Sequence, residues 1–122
     1  TKTNETLWPV LNACDDLRVL VIEVSFPDEM AGLAVESGHY TPKSLTDDLK
    51  RLRHDPEIWL TGMKPGEEDR ILGQVLKAAP GKNIQMLSRG TILTVYLRKY
   101  GTGHHILNMV SGTCRIPACL KI

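Results

Sequence analysis

Two short runs, "RVLVIEV" at residues 18–24 and "EIWLT" at 57–61, constrain this chain more than any other feature. Both are too continuously apolar for a strand with one wet face. Such runs fit strands buried on both sides, as in the sheets of α/β proteins. Parallel neighbours need a long crossover, usually helical, and the residues between the two runs supply one. Pro27 opens a helix reaching about Ser37, with Met30, Leu33 and Ala34 on one side. Thr41 and Pro42 then give an N-cap and first-turn proline to a second helix, whose apolar stripe is Leu45, Leu49 and Leu52.

Ahead of the first strand, "NETLWPVLNACDD" reads as a short helix capped at Asn4, with Pro9 tolerable only in its first turns. After the second strand, "KPGEEDRILGQVLKAA" gives a helix with acids in its first turn and a stripe at Ile71, Leu72, Val75 and Leu76, ended by Pro80 and Gly81. "NIQML" and "GTILTVYL" are expected to be strands of a hairpin joined at Ser88, Arg89 and Gly90. The resulting order, αβααβαββ, is an α/β layered arrangement. From Lys99 onward, "KYGTGHHILNMVSGTCRIPACLKI" has no sustained period. The chain therefore divides into a domain at 1–98 and an irregular tail of uncertain order at 99–122.

Fifteen basic and fourteen acidic residues are well mixed and leave a formal charge of +1, so no electrostatic footprint for nucleic acid or a membrane surface is present. No stretch approaches the roughly 20 apolar residues of a membrane span, and "TKTNET" lacks the layout of a signal peptide. Three cysteines cannot all pair within one chain, which favours a reducing compartment. The expectation is a cytoplasmic protein. Thr1 is not an initiator methionine, so an upstream portion is expected to be missing.

In open α/β sheets ligands gather at the carboxyl ends of the strands. Here that edge would collect Ser25 and Phe26, the loop around His39, and Gly62, Met63 and Lys64. Glu23 interrupts an apolar strand near its end. A carboxylate there is hydrogen-bonded, paired or at the rim, and the ordinary case is a glutamate in water or on backbone N–H groups. Lys64, ahead of Pro65 at a helix start, is a solvated cation or a phosphate contact. His39, preceded by Ser37 and Gly38 and followed by a capped helix, is presented from a short loop; a lone loop histidine is most often plain surface.

These residues resemble a known family. "VLVIEVSFPDEMAGLAVESGHYTPKSLTDDLKRL", "IWLTGMKPGEEDRI" and "IQMLSRGTILTV" follow in order the C-terminal half of the class II cyclic-nucleotide phosphodiesterases of the metallo-β-lactamase fold, and more distantly the transfer-RNA 3′-processing nucleases. The resemblance covers about residues 1–97 and implies half of a metallo-β-lactamase-like αββα sandwich. It also implies a 3′,5′-cyclic-nucleotide substrate such as cAMP and two divalent ions, zinc, manganese or iron, in the complete domain. Those ions polarise the phosphate and lower the pKa of a bridging water. His39 matches the phosphate-facing histidine outside the metal shell, and Lys64 is a substrate-binding candidate beside it.

The chain departs from the family in its metal ligands. The upstream His-x-His-x-Asp-His motif is absent, and the family's last metal histidine falls on Gly62. His39 and Glu23 alone cannot make a four- to six-coordinate site, so no metal is expected for this chain by itself. His104, His105, Cys114 and Cys119 in the tail have the wrong spacing for common zinc modules. The leading expectation is a piece of a metal-dependent phosphodiesterase, inactive alone. A non-catalytic nucleotide- or phosphate-binding module of the same fold is the alternative, and a structural fragment that assembles with another chain is the third. Self-association through an exposed sheet face is expected, because the absent half would cover that face.

Overall fold

The computed structural model describes residues 5–98, 104–110 and 119–121, with residues from 94 onward described as backbone only. Its centre is the first of the two apolar runs. Strand β1 (Val19–Glu23) pairs in parallel with β2 (Glu57–Thr61), in the register Val19 to Glu57 through Glu23 to Thr61. Strand β3 (Ile84–Met86) adds in parallel outside β2, and β6 (Cys119–Lys121) adds in parallel on the other side of β1. The sheet order is β3-β2-β1-β6.

Alternation along β1 and β2 divides the core in two. Leu20, Ile22, Ile58 and Leu60 face the helices, in one cluster with Trp8, Leu11, Leu45, Leu49, Ile71 and Val75. The helices are α1 (Leu7–Asn12), α2 (Ala31–Ser37) behind a single 3-10 turn at Asp28–Met30, α3 (Pro42–Leu49) and α4 (Glu68–Ala78). Pro9 stands third in α1, within the turn whose N–H groups have no intrahelical acceptor. Asn4, expected as the cap of α1, lies outside the described residues, and Thr6 holds the N-cap position.

The expected stripe of α3 is buried in full, with Leu45, Leu49 and Leu52 at 0%, 1% and 8% exposure. Thr41 and Ser44 close a capping box, and Pro42 fills the first turn. In α2 only Ala34 is buried; Leu33 is 48% exposed, because the helix lies tangent to the core and buries a single small side chain. In α4, Ile71 and Val75 are buried, whereas Leu76 faces outward.

The opposite face of the sheet carries Val19, Val21 and Trp59. Leu93 of β4 (Ile92–Arg98) covers them, in a second cluster that includes Leu87. The expectation of a bare sheet face is thereby corrected at β1, where Val19 and Val21 are 4% and 3% exposed beneath the chain's own second layer. Strand β4 pairs antiparallel with β5 (His104–Val110), so the expected hairpin between β3 and β4 is also corrected. Ser88 and Thr91 do form a tight turn, Thr91 N–H donating to the Ser88 carbonyl at 3.1 Å. The turn lifts the chain off the parallel sheet, and Leu93 packs on the two valines.

The segment expected as an irregular tail contains β5 and β6. Each satisfies backbone groups on a strand already in place, β5 along β4 and β6 along the open side of β1. The result is α/β, with helices on one face of a parallel sheet and a two-stranded antiparallel layer on the other. No described helix is long and apolar enough to cross a membrane.

Candidate functional site

The loops that leave the carboxyl ends of β1 and β2 and the loop between α2 and α3 are joined by backbone hydrogen bonds. Val24 N–H donates to the Thr61 carbonyl at 3.0 Å, Ser25 N–H to the Tyr40 carbonyl at 3.1 Å, and Lys64 N–H to the Ser25 carbonyl at 2.9 Å. Ser25, Phe26, His39, Gly62 and Lys64 are therefore gathered at one sheet edge, as the parallel pairing requires.

His39 is held from both sides along the chain. Gly38 ends α2 with φ of 74°, a left-handed cap that turns the backbone out of the helix, and His39 N–H donates back to the Ala34 carbonyl at 2.9 Å. The next residue, Tyr40, is 2% exposed and its hydroxyl donates to Asp48 Oδ2 at 2.7 Å. Burial first, and the Asp48 carboxylate second, raise the Tyr40 phenol well above its ordinary value, so it stays a neutral donor. A loop histidine thus acquires the fixity of the core beside it.

Its ring meets Glu23. His39 Nδ1 is hydrogen-bonded to Glu23 Oε1, and Ser25 Oγ donates to the same oxygen at 2.6 Å. The edge of the ring packs against Phe26, with centroids 5.9 Å apart and planes at 67°. With Glu23 ionised, Nδ1 carries the proton and donates, which fixes the tautomer and presents Nε2 outward. Nε2 has no hydrogen-bond partner among the described residues, and the ring borders a cavity of about 370 Å³ with Ser25, Gly62, Met63 and Lys64. Such a pair can hydrogen-bond an anion, accept a proton at Nε2, or return one to a leaving oxygen. Lys64 is exposed at the rim, where its ammonium lies 3.9 Å from the Met30 sulfur.

Glu23 is a partly exposed carboxylate held by two side chains, with no backbone N–H donating to it among the described residues. The signal was readable in part: Glu23 and Ser25 are two apart at a strand end, the spacing that places side chains on one face. The position of His39 on that same face depends on where α2 ends, and no spacing reveals it.

Gly62 has φ of 70°, and a Cβ built on it would stand 2.6 Å from Glu23 Cγ. The glutamate occupies the room that a side chain at 62 would need. Among the described residues no group of three or more His, Cys, Asp or Glu could hold a divalent ion. Glu23 and His39 are two donors already bonded to each other, and they do not fit a two-metal centre. The side chains of His104, His105, Cys114 and Cys119 lie outside the described residues. Compared with protein families, with curated proteins and with solved structures, the chain gives no match.

Proposed function

We propose that residues 1–97 are part of a metallo-β-lactamase-fold domain of the class II cyclic-nucleotide phosphodiesterase kind, and that they contribute its phosphate-facing histidine. The observation supporting this reading is the bond of His39 to Glu23 at the carboxyl ends of the parallel strands, which leaves Nε2 without a partner among the described residues, in a ring that borders a cavity. In this reading the β4–β5 layer on the parallel sheet belongs to the second sheet of an αββα sandwich, and the substrate is a 3′,5′-cyclic nucleotide such as cAMP.

The chain's own residues bind and orient the phosphate. Nε2 of protonated His39 donates to a non-bridging oxygen or gives its proton to the leaving 3′-oxygen, with Glu23 fixing the ring throughout. Lys64 at the rim draws the anion in. Two divalent ions would supply hydroxide and charge stabilisation in the complete domain. Because the described donors do not fit them, no step of this chain runs through a metal. The filling of the space at Gly62 by Glu23 favours a second reading, phosphate recognition without turnover.

The test is titration of the chain with cyclic AMP, followed by ³¹P resonance, for the natural sequence and His39→Ala. Saturable binding weakened at least 10-fold by the substitution is expected; unchanged binding refutes the assignment of His39. In a chain extended upstream of Thr1, His39→Ala should lower metal-supported turnover on the order of 100-fold while metal content stays level. Equal losses of metal and rate would place His39 in a metal shell instead. No turnover from the extended natural chain, with binding retained, selects the second reading.

A further inference from the structure

Of the three side chains bonded together at the strand ends, one is fixed by its surroundings and two are not. Ser25 is 7% exposed, its N–H donates to the Tyr40 carbonyl at 3.1 Å, and its carbonyl accepts from Lys64 N–H at 2.9 Å. Its backbone is thereby tied to the loop of His39 and to the loop of Lys64. Glu23 and His39 have side chains that are 38% and 40% exposed. A glutamate reaches its partner through several rotatable bonds, and partial exposure leaves them free to turn.

Glu23 also has a choice of partner. Lys64 borders the same cavity as the carboxylate and the His39 ring, and its ammonium, 3.9 Å from the Met30 sulfur, bonds no carboxylate among the described residues. A cation there attracts Glu23 away from the histidine. The other charged groups near the ring line the second cavity, between α2 and α3: Asp48 accepts from Tyr40, Asp47 accepts from Lys50, and Lys43 stands beside them. Against the pull of Lys64 stands the Ser25 hydroxyl, which donates at 2.6 Å to Glu23 Oε1, the oxygen that also meets His39 Nδ1. Residues two apart in an extended segment share a face, so the hydroxyl reaches that oxygen by a single torsion.

We infer that Ser25 is a positioning residue of the site: its hydroxyl holds the Glu23 carboxylate on His39 rather than on Lys64, and so decides which ring nitrogen of His39 carries the proton. Alanine at 25 releases the carboxylate to the cation, and the ring loses the acceptor that keeps its proton on Nδ1. Threonine at 25 keeps the donor. The consequence for a bound phosphate rests on the working role proposed for His39, whereas the state of the ring can be read with no ligand present.

The test follows the ring-nitrogen resonances of His39 in the ¹⁵N-labelled chain without ligand, above the pH range in which a histidine titrates. The natural chain should hold the proton mainly on Nδ1. In Ser25→Ala the ratio of the Nδ1–H to the Nε2–H form should fall on the order of 10-fold, as the loss of one hydrogen bond allows. Lys64→Gln in the Ser25→Ala background should return the ratio towards the natural one, and Ser25→Thr should leave it unchanged. An unaltered ratio in Ser25→Ala overturns the positioning role, and a fall that Lys64→Gln does not relieve overturns the choice between partners. Amide exchange at Ser25 and Lys64 separates the hydroxyl from a general loosening: faster exchange at both in Ser25→Ala would mean that the loops had parted, and would also overturn the assignment. Cyclic AMP supplies the last arm, where Ser25→Ala should weaken binding less than His39→Ala does. Equal losses with a natural ring ratio would place the hydroxyl on the phosphate itself and refute positioning. No binding by the natural chain removes the function proposed for His39 while the ring ratios still decide the role of Ser25.

Discussion

Gly62→Ala tests how the site is held together. At φ of 70° an alanine carries the left-handed penalty, roughly 1–2 kcal/mol. The new Cβ would also stand 2.6 Å from Glu23 Cγ, closer than non-bonded carbons sit, so the glutamate must swing aside. Glu23 then loses its bonds to His39 and Ser25. Each contributes about 0.5–1.5 kcal/mol net, and the lower part of that range applies because Glu23 and His39 are 38% and 40% exposed. The sum is about 2–3 kcal/mol, read as a lowered urea midpoint at constant slope.

The steric part is separable. In a Glu23→Ala background the nearest carbon to the new methyl is Cβ of residue 23, at 3.6 Å, an ordinary contact. Gly62→Ala should there cost only its backbone share, leaving a coupling on the order of 1 kcal/mol in the double-mutant cycle. Nitrogen shifts of the His39 ring should move to a mixture of tautomers in the Gly62→Ala chain, since nothing then fixes the Nδ1 proton. A loss below about 0.5 kcal/mol, or the same loss in both backgrounds, would refute the claim that Glu23 leans across Gly62 to reach His39.

Tyr40→Phe leaves the Asp48 carboxylate, at 6% exposure, without its donor and should cost about 1–3 kcal/mol in chemical denaturation. The folded phenol holds its proton more tightly than the unfolded one, so its contribution is complete below the unfolded value of 10.0 and falls as pH rises above it. The natural chain should therefore lose stability above pH 10 more steeply than Tyr40→Phe, by up to about 1.4 kcal/mol per pH unit; parallel curves would count against it. Thr41→Ala removes the capping box and should cost about 1 kcal/mol, an unchanged midpoint arguing against a capping role. With Val19 and Val21 covered, self-association is expected to run through the half-covered Trp59 and its neighbour Leu87. Trp59→Lys should then shift sedimentation at micromolar concentration towards monomer, and an unaltered profile would place the contact elsewhere.

The parts of the fold that could be read in the sequence are those where one physical signal decides. The continuous apolar runs of β1 and β2 require burial on both sides, and Thr41-Pro42 followed by Leu45, Leu49 and Leu52 leaves little but a capped helix. The gathering of Ser25 and Gly62 at one edge followed from parallel pairing, whereas the place of His39 beside them depends on where α2 ends. Where the outcome depends on distant residues, the reading ran out. A Ser-Arg-Gly turn reads alike whether the next strand folds back on its neighbour or crosses to another layer, and β4 crosses because Val19 and Val21 need cover. Strands β5 and β6 are specified chiefly by the open edges of β4 and β1, which no local pattern displays. Leu33 has the spacing of a core residue yet faces outward, since the tilt of α2 is set by its neighbours.

Strand β1 lies inside the sheet only because β6 joins it, pairing Val21 with Lys121. These two residues are separated by one hundred positions, the difference of their numbers. At synthesis rates of about 5–20 residues per second, the side of β1 that receives β6 stays open for roughly 5–20 s after Val21 has been made. During that interval the strand whose end carries Glu23 presents an unpaired apolar edge on the ribosome, able to accept a strand from another nascent chain. Folding yield in the cell then becomes sensitive to how quickly the C-terminal segment is delivered.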